Sequence, residues 1–210
     1  MNKRNFIVLD TETTGLDEET QEIVQIAAEA ISGDTLYDHQ SGKFQAVLKP
    51  EKPETASPKA IEVLGEELWT TAQASGLDQK TALKSLLAYC ETVNDRKNKY
   101  EKPMLVGHNI KFDLKFIVAA CKRHGLIKTE DDLPFHYHTI DTISIGFLLF
   151  HTDPNVTSYT LDSVAKVFGI VRKQDTHDAG EDVSITKQIF IRSLKAFSEI
   201  RRRLRFTPAT

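Results

Sequence analysis

At 210 residues, 40% of them hydrophobic, the chain is long enough for one globular domain with a sizeable core, and residues 1–210 are read as a single domain. A formal net charge of −3 excludes a surface that is a basic nucleic-acid glove throughout and leaves room only for local basic patches. No apolar run approaches the roughly 20 residues of a membrane span, and MNKRNFIVLDTE reaches acids before any signal-length stretch forms, so a soluble, cytoplasmic protein without membrane contact is expected. Cys90 and Cys121 have no CxxC spacing and fall in apolar helical patterns, as reduced core residues do.

In chain order, residues 6–10 read as a buried strand. Residues 22–31 (EIVQIAAEAI) and 43–49 (KFQAVLK) follow as strands of an antiparallel meander. Beyond the proline-interrupted link KPEKPETASP, residues 59–65 predict a short helix and residues 78–92 a longer amphipathic one, with Leu83, Leu86, Leu87 and Cys90 on its apolar face. NDRKNKYEKP is a polar loop, residues 104–106 a short buried strand, and GHNIKFD leads into a helix that runs to about residue 124. A strand near residues 138–140 precedes an apolar helix over 141–150. SYTLDSVAKVFGI predicts another helix, capped by Ser158 or Thr160, and the last helix runs from Asp178 to about Leu204. Strands first, then helices alternating with strands, is the pattern of an α/β domain with a mixed sheet.

The first strand ends on chemistry. In FIVLDTETTGLD, Asp10 and Glu12 stand two residues apart, and because side chains alternate across a strand they share one face. Asp113 precedes Phe116 and Ile117 by three and four residues, which puts it on the core-facing side of its helix. A charge there is costly without a cation or a set of hydrogen bonds, although an Asp near a helix start is also an ordinary partner of the helix dipole. The last helix opens with HDAGED, in which Asp178 and Glu181 have capping-box spacing. With Asp178 as N-cap, His177 and Asp182 occupy the two positions that meet across the first turn, and Asp182 heads the apolar row Ile185, Ile189 and Phe190. Acids stranded at three places imply a shared cation. Oxygen-only ligands suit Mg²⁺ or Mn²⁺, and two such ions about 3.5–4 Å apart clamp the attacking and leaving oxygens of a phosphodiester.

The order Asp10, Glu12, Asp113, His177, Asp182 resembles the DEDD family of 3′–5′ exonucleases, specifically its histidine subgroup, DEDDh, to which the proofreading exonuclease (epsilon) of the bacterial replicative polymerase belongs. The first motif, DxExT, stands as DTETTG, the second, NxxxD, as NIKFD, and the third, HxAxxD, as HDAGED. The resemblance covers about residues 5–194, with a basic helix end and tail over 195–210. It implies a ribonuclease H-like mixed β-sheet flanked by helices. The implied activity is two-metal hydrolysis at 3′ ends of single-stranded or frayed DNA, releasing nucleoside 5′-monophosphates in proofreading or repair. By resemblance, Asp10, Glu12 and Asp182 hold the ion that binds the attacking water, Asp10 bridges to the second ion, and Asp113 holds its site chiefly through water. His177 takes the water's proton, a task that suits an imidazole near its ordinary pKa of about 6.5. Thr13 and the backbone around Thr14 and Gly15 approach the terminal sugar, and Leu16 wedges near the terminal base. Asn109 and Phe112 shape the second motif, Phe112 as a core ring or as a base contact.

The remaining features are read as structural. His136, Tyr137 and His138, with Asp141 and His151 nearby, form surface or core histidines rather than a transition-metal cluster. His108 supports the second motif. Arg201, Arg202, Arg203 and Arg205 suit the C-terminal helix dipole, with phosphate-backbone contact as their other reading, and NDRKNKYEK is open in the same way. The resemblance specifies the reaction and not the sugar, so an enzyme trimming 3′ ends of RNA or short oligonucleotides is the alternative within catalysis. An inactive nucleic-acid-binding or polymerase-tethering module is the alternative of another class, and it would have lost an acid or the histidine, all of which are present. No polymerase region accompanies the motifs, so a DNA polymerase partner would be met in trans.

Overall fold

The first apolar run forms β1 (Phe6–Thr13), the central strand of a five-stranded sheet ordered β3-β2-β1-β4-β5. The structure, a computed structural model, describes residues 4–94, 102–173 and 178–204. β2 (Ile23–Ile31) and β3 (Asp38–Val47) continue antiparallel from β1 as the expected meander, while β4 (Met104–Gly107) and β5 (Thr139–Asp141) lie parallel on the other side. β3 starts at Asp38 rather than at 43. Asp38 pairs with Ile31, the register shifts before Lys43 pairs with Glu29, and the side chains over 38–43 are exposed or half-buried, so hydrophobicity carries no signal there.

The helices follow the same logic. The helix predicted over 59–65 is only the first limb of α1 (Pro58–Ser75), broken at Gly65, where φ is 77° and ψ 155°, a conformation open to glycine. α2 (Gln79–Val93) and α3 (Ile110–Arg123) cover one face of the sheet, and α6 (Ala179–Arg203) crosses the other. α4 (Thr142–Phe150) and α5 (Leu161–Val167) pack on each other and on α6, with Thr160 rather than Ser158 as the cap of α5.

Alternation along β1 sorts the core into two layers. Ile7 and Leu9 pack with Leu83, Leu86, Phe116 and Ile117, whereas Val8 packs with Val183 and Phe190 of α6. Ile7, Val8 and Leu9 are at most 1% exposed, and burying each such side chain is worth about 1.5–3 kcal/mol. This anchorage makes β1 a rigid rod. Cys90 and Cys121 sit in the first layer as free thiols, both pushed up to about 12 by burial. No described helix is long and apolar enough to cross a membrane. Because β1, β4 and β5 run parallel, their C-terminal ends open at one edge of the sheet, the edge where ligands bind in open α/β sheets.

Candidate active site

Asp10 and Glu12 lie at the C-terminal end of β1 on the face covered by α6, and Asp182 meets them from the first turn of that helix. One carboxylate oxygen from each of the three lies within 4.8 Å of the others. The helix start is fastened to the sheet. Asp178 is the N-cap, its Oδ1 accepting from the Glu181 N–H at 2.9 Å, while its Oδ2 accepts from Gln25 Nε2 at 2.8 Å. Gln25 Oε1 in turn accepts from the Ala179 N–H at 3.0 Å, and Gln25 is the cross-strand partner of Glu12. β2 therefore sets the position of Asp182 relative to β1. Glu181 does not close the capping box, because its Oε1 accepts from the Lys173 N–H at 2.5 Å instead.

Asp113 arrives from the opposite face. Thr11, which points toward α3, donates both its backbone N–H (2.8 Å) and its hydroxyl (2.7 Å) to Asp113 Oδ1. Asp113 is 3% exposed, and burial pushes its carboxyl up to about 7, against the pull of the Thr11 hydrogen bonds and with the charge of Glu12 adding to the rise. Asp10 is raised well above 3.8, first by burial and then by the charges of Asp113, Asp182 and Glu12, while Arg172 pulls it down. Four acids with oxygen donors only, crowded at the end of one strand, fit a hard divalent cation. Among the described residues they include the only set of three potential metal ligands brought together.

The other predicted positions divide. His177 lies outside the described residues, as do Arg205 and most of the loop after Asn94. Asn109 is exposed in the left-handed region (φ 65°) at the start of α3, its N–H donating to Asp141 Oδ1 at 3.1 Å. His108 is structural, its ring nitrogens 2.9 Å from Thr142 Oγ1 and 2.9 Å from the Tyr159 carbonyl oxygen. His136, Tyr137 and His138 precede β5 and stack on one another rather than sharing a strand face.

In the turn after β1, the Thr13 hydroxyl donates to the Gly15 carbonyl oxygen at 2.6 Å. Thr14 does not face the cleft. It is fully buried, its N–H on the Glu22 carbonyl oxygen, its hydroxyl oxygen on the Glu22 N–H and its carbonyl oxygen on the Ser57 N–H, so it braces the turn. Gly15 leaves the space that Gln21 fills, for an added Cβ would meet the Gln21 amide at 2.0 Å. Leu16 is 84% exposed at the edge of a cavity of about 280 Å³ beside Glu12, walled also by Thr13, Phe112 and, from α1, Ala60 and Val63. Phe112 packs on Phe116 with ring centroids 4.9 Å apart and also lines this cavity. The α1 wall was not foreseeable, since residues 59–65 read only as one short helix. Thr11 was within reach: alternation alone puts it on the face opposite the paired acids.

A mixed sheet with its acids gathered at the C-terminal end of the first strand marks a nuclease-like hydrolase site, and the chain belongs to the exonuclease family whose model, RNase_T, matches residues 7–190. It is 27% identical over 195 residues to the PolC-type DNA polymerase III of Thermotoga maritima, covering 93% of this chain and 12% of that protein. It is also 27% identical over 190 residues to the DNA polymerase III subunit epsilon of Aquifex aeolicus, covering 90% of this chain and 80% of the relative. The chain thus spans only about an eighth of the length of the PolC-type relatives it matches. Among solved structures, Escherichia coli exonuclease I in complex with a dT13 oligonucleotide superposes with a TM-score of 0.75 at 20% identity, over 96% of this chain and 42% of that one. The nuclease domain of 3′hExo, a DEDDh family member bound to rAMP, gives 0.68 at 16% identity, over 92% and 93%. The shared fold is the ribonuclease H-like mixed sheet flanked by helices.

Proposed function

We propose that the chain acts as one metal-dependent 3′–5′ exonuclease domain, hydrolysing the terminal phosphodiester of single-stranded or frayed DNA and releasing nucleoside 5′-monophosphates. The observation that carries this reading is the convergence of Asp10, Glu12 and Asp182 within 4.8 Å beside an apolar cavity. Asp10, Glu12, Asp182 and Asp113 are the residues that would hold two Mg²⁺ or Mn²⁺ ions. Such ions supply positive charge at the phosphate and lower the pKa of a bound water. Asp10, raised first by burial and then by the charges of the other three acids, would be the ligand common to both ions. Asp113 is clamped through Oδ1 by Thr11, which leaves its second oxygen for the site. His177, one residue before the α6 N-cap, accepts the proton of the attacking water. The cavity takes the terminal nucleoside, with Leu16, Val63 and Phe112 against the base and Thr13 and Gly15 near the sugar. Asn109, exposed at the start of α3, lies on the substrate side of the second motif.

The polymerase III relatives and the oligonucleotide-bound exonuclease I support single-stranded DNA as substrate and a DNA polymerase as partner. We place the activity in the cytoplasm, which suits two buried, unpaired thiols. The test is a panel of 5′-labelled single-stranded DNA, duplex DNA with a mispaired 3′ end, and RNA, each with Mg²⁺ or with EDTA. Stepwise shortening of DNA from the 3′ end with release of 5′-mononucleotides is expected, abolished by EDTA. Undiminished cleavage in EDTA, or faster shortening of RNA than of DNA, contradicts the reading.

A further inference from the structure

We infer that Arg172 is a resident cation of the metal site, a positioning residue that holds Asp182 in the metal-free protein and competes with metal for that carboxylate. In this way it sets the metal concentration at which the site fills. This rests on the metal-site reading above.

Arg172 lies between α5 and α6, and its side chain is 17% exposed. Its Nη1 stands 2.5 Å from Asp182 Oδ1 and 3.7 Å from Glu181 Oε2, and its Nε donates to Asp162 Oδ1 at 2.8 Å. The guanidinium therefore spans from an exposed acid on α5 to a buried acid of the cluster. The next residue is tied down too, since the Lys173 N–H donates to Glu181 Oε1. Arg172 is thus held over the first turn of α6 by its backbone as well as its head group.

Two details separate this contact from an ordinary structural ion pair. Arg172 Nη2 and Glu181 Oε2 are both buried without a hydrogen-bond partner, although a guanidinium offers five donors and an unmet buried donor destabilises the fold. A clamp built only for stability would satisfy the whole fork. The contact also falls on a carboxylate of the converging set, so a divalent ion on Asp182 would share that group with a positive neighbour and be repelled by it. Asp162, 63% exposed in its side chain, offers the guanidinium an anchor that metal does not contest. A turn of the head group about that anchor releases Asp182 without unfolding the segment.

The test is Mn²⁺ titration of the full chain, with free Mn²⁺ read by electron paramagnetic resonance, for the wild type, Arg172→Gln and Arg172→Lys. Arg172→Gln should bind its first Mn²⁺ about tenfold more tightly. Arg172→Lys should fall between, because an ammonium keeps the charge but cannot span Asp162 and Asp182 with one planar fork. In ¹⁵N-labelled wild type, the Arg172 Nε–H resonance, assigned by its loss in the Gln variant, should shift on Mg²⁺ addition, a readout independent of how the variants fold. Equal or weaker Mn²⁺ binding by Arg172→Gln, or a resonance unmoved at saturating Mg²⁺, overturns the inference. A wild type that binds no Mn²⁺ overturns the metal-site reading beneath it as well.

Discussion

Glu29 and Asp182 are buried to nearly the same degree, 5% and 6% exposed, and both sit where the sheet meets α6, yet they keep opposite company. Lys187 of α6 donates to Glu29 at 2.7 Å and also pairs with Asp38, while Lys43 adds a second cation to Glu29. Two acids meet two lysines there. At the N-terminal end of the same helix, Asp182 meets Asp10, Glu12 and, across the strand, Asp113, against a guanidinium that Asp162 and Glu181 share. The first arrangement neutralises itself and serves the fold. The second gathers four acids at the end of one strand and makes sense as a place for a cation brought from outside.

That contrast can be broken at several points. Asp10→Ala or Asp182→Ala should lower nucleotide release from a 3′ end on the order of 10³-fold or more, with the far-ultraviolet circular dichroism unchanged, while Glu29→Gln stays within about twofold of wild type. A fully active Asp10→Ala protein would remove the site from consideration.

Stability should respond with opposite signs. Glu29→Gln leaves Lys187 with Asp38, a largely exposed partner, and should cost about 2 kcal/mol in urea unfolding, whereas Asp10→Asn relieves like-charge repulsion and should stabilise the protein in EDTA. Destabilisation by both would mean that the two clusters are alike after all.

The pH dependence of the metal-free protein offers a finer test. Asp113 titrates near 3.8 in the unfolded chain and at about 7 in the fold, so below pH 4 both states hold the proton and the fold is unpenalised. As pH rises from there to about 7, the unfolded chain has released a proton that the fold retains, and stability is lost. Above 7 the loss is constant. Melting temperatures in EDTA should therefore fall across this window, and Asp113→Asn should shrink the fall, leaving the part due to Asp10, whose shift has the same sign. An unchanged slope in the variant would assign the effect elsewhere. The smallest effect belongs to the cavity: Leu16→Ala or Val63→Ala should raise KM for an oligonucleotide about three- to tenfold with kcat nearly constant, read in steady-state kinetics.

Much of this site was legible from local pattern. Alternation put Asp10 and Glu12 on one face, helical spacing put Asp113 among Phe116 and Ile117, and the HDAGED stretch announced Asp178 as the cap that sets the register of Asp182. Each is a statement about neighbours in the chain, where geometry follows from the strand or helix repeat. The meander and the parallel strands after it followed from element order in the same way.

What local pattern did not carry is who stands opposite whom. Thr11 grips Asp113 across 102 residues, and Gln25 docks the Asp178 cap across 153, contacts that depend on how sheet and helices pack. The break at Gly65, the α1 wall of the cavity and the burial of Thr14 belong to the same class. Arg172 is the sharpest case: no motif or repeat marks it, and only the packing of α5 against α6 places its guanidinium on Asp182. Residue type and repeat determined which side chains can ligate metal and which way they point from their own element. The tertiary structure decided their mutual distances and counter-charges, because those are set by long-range packing that no local repeat encodes.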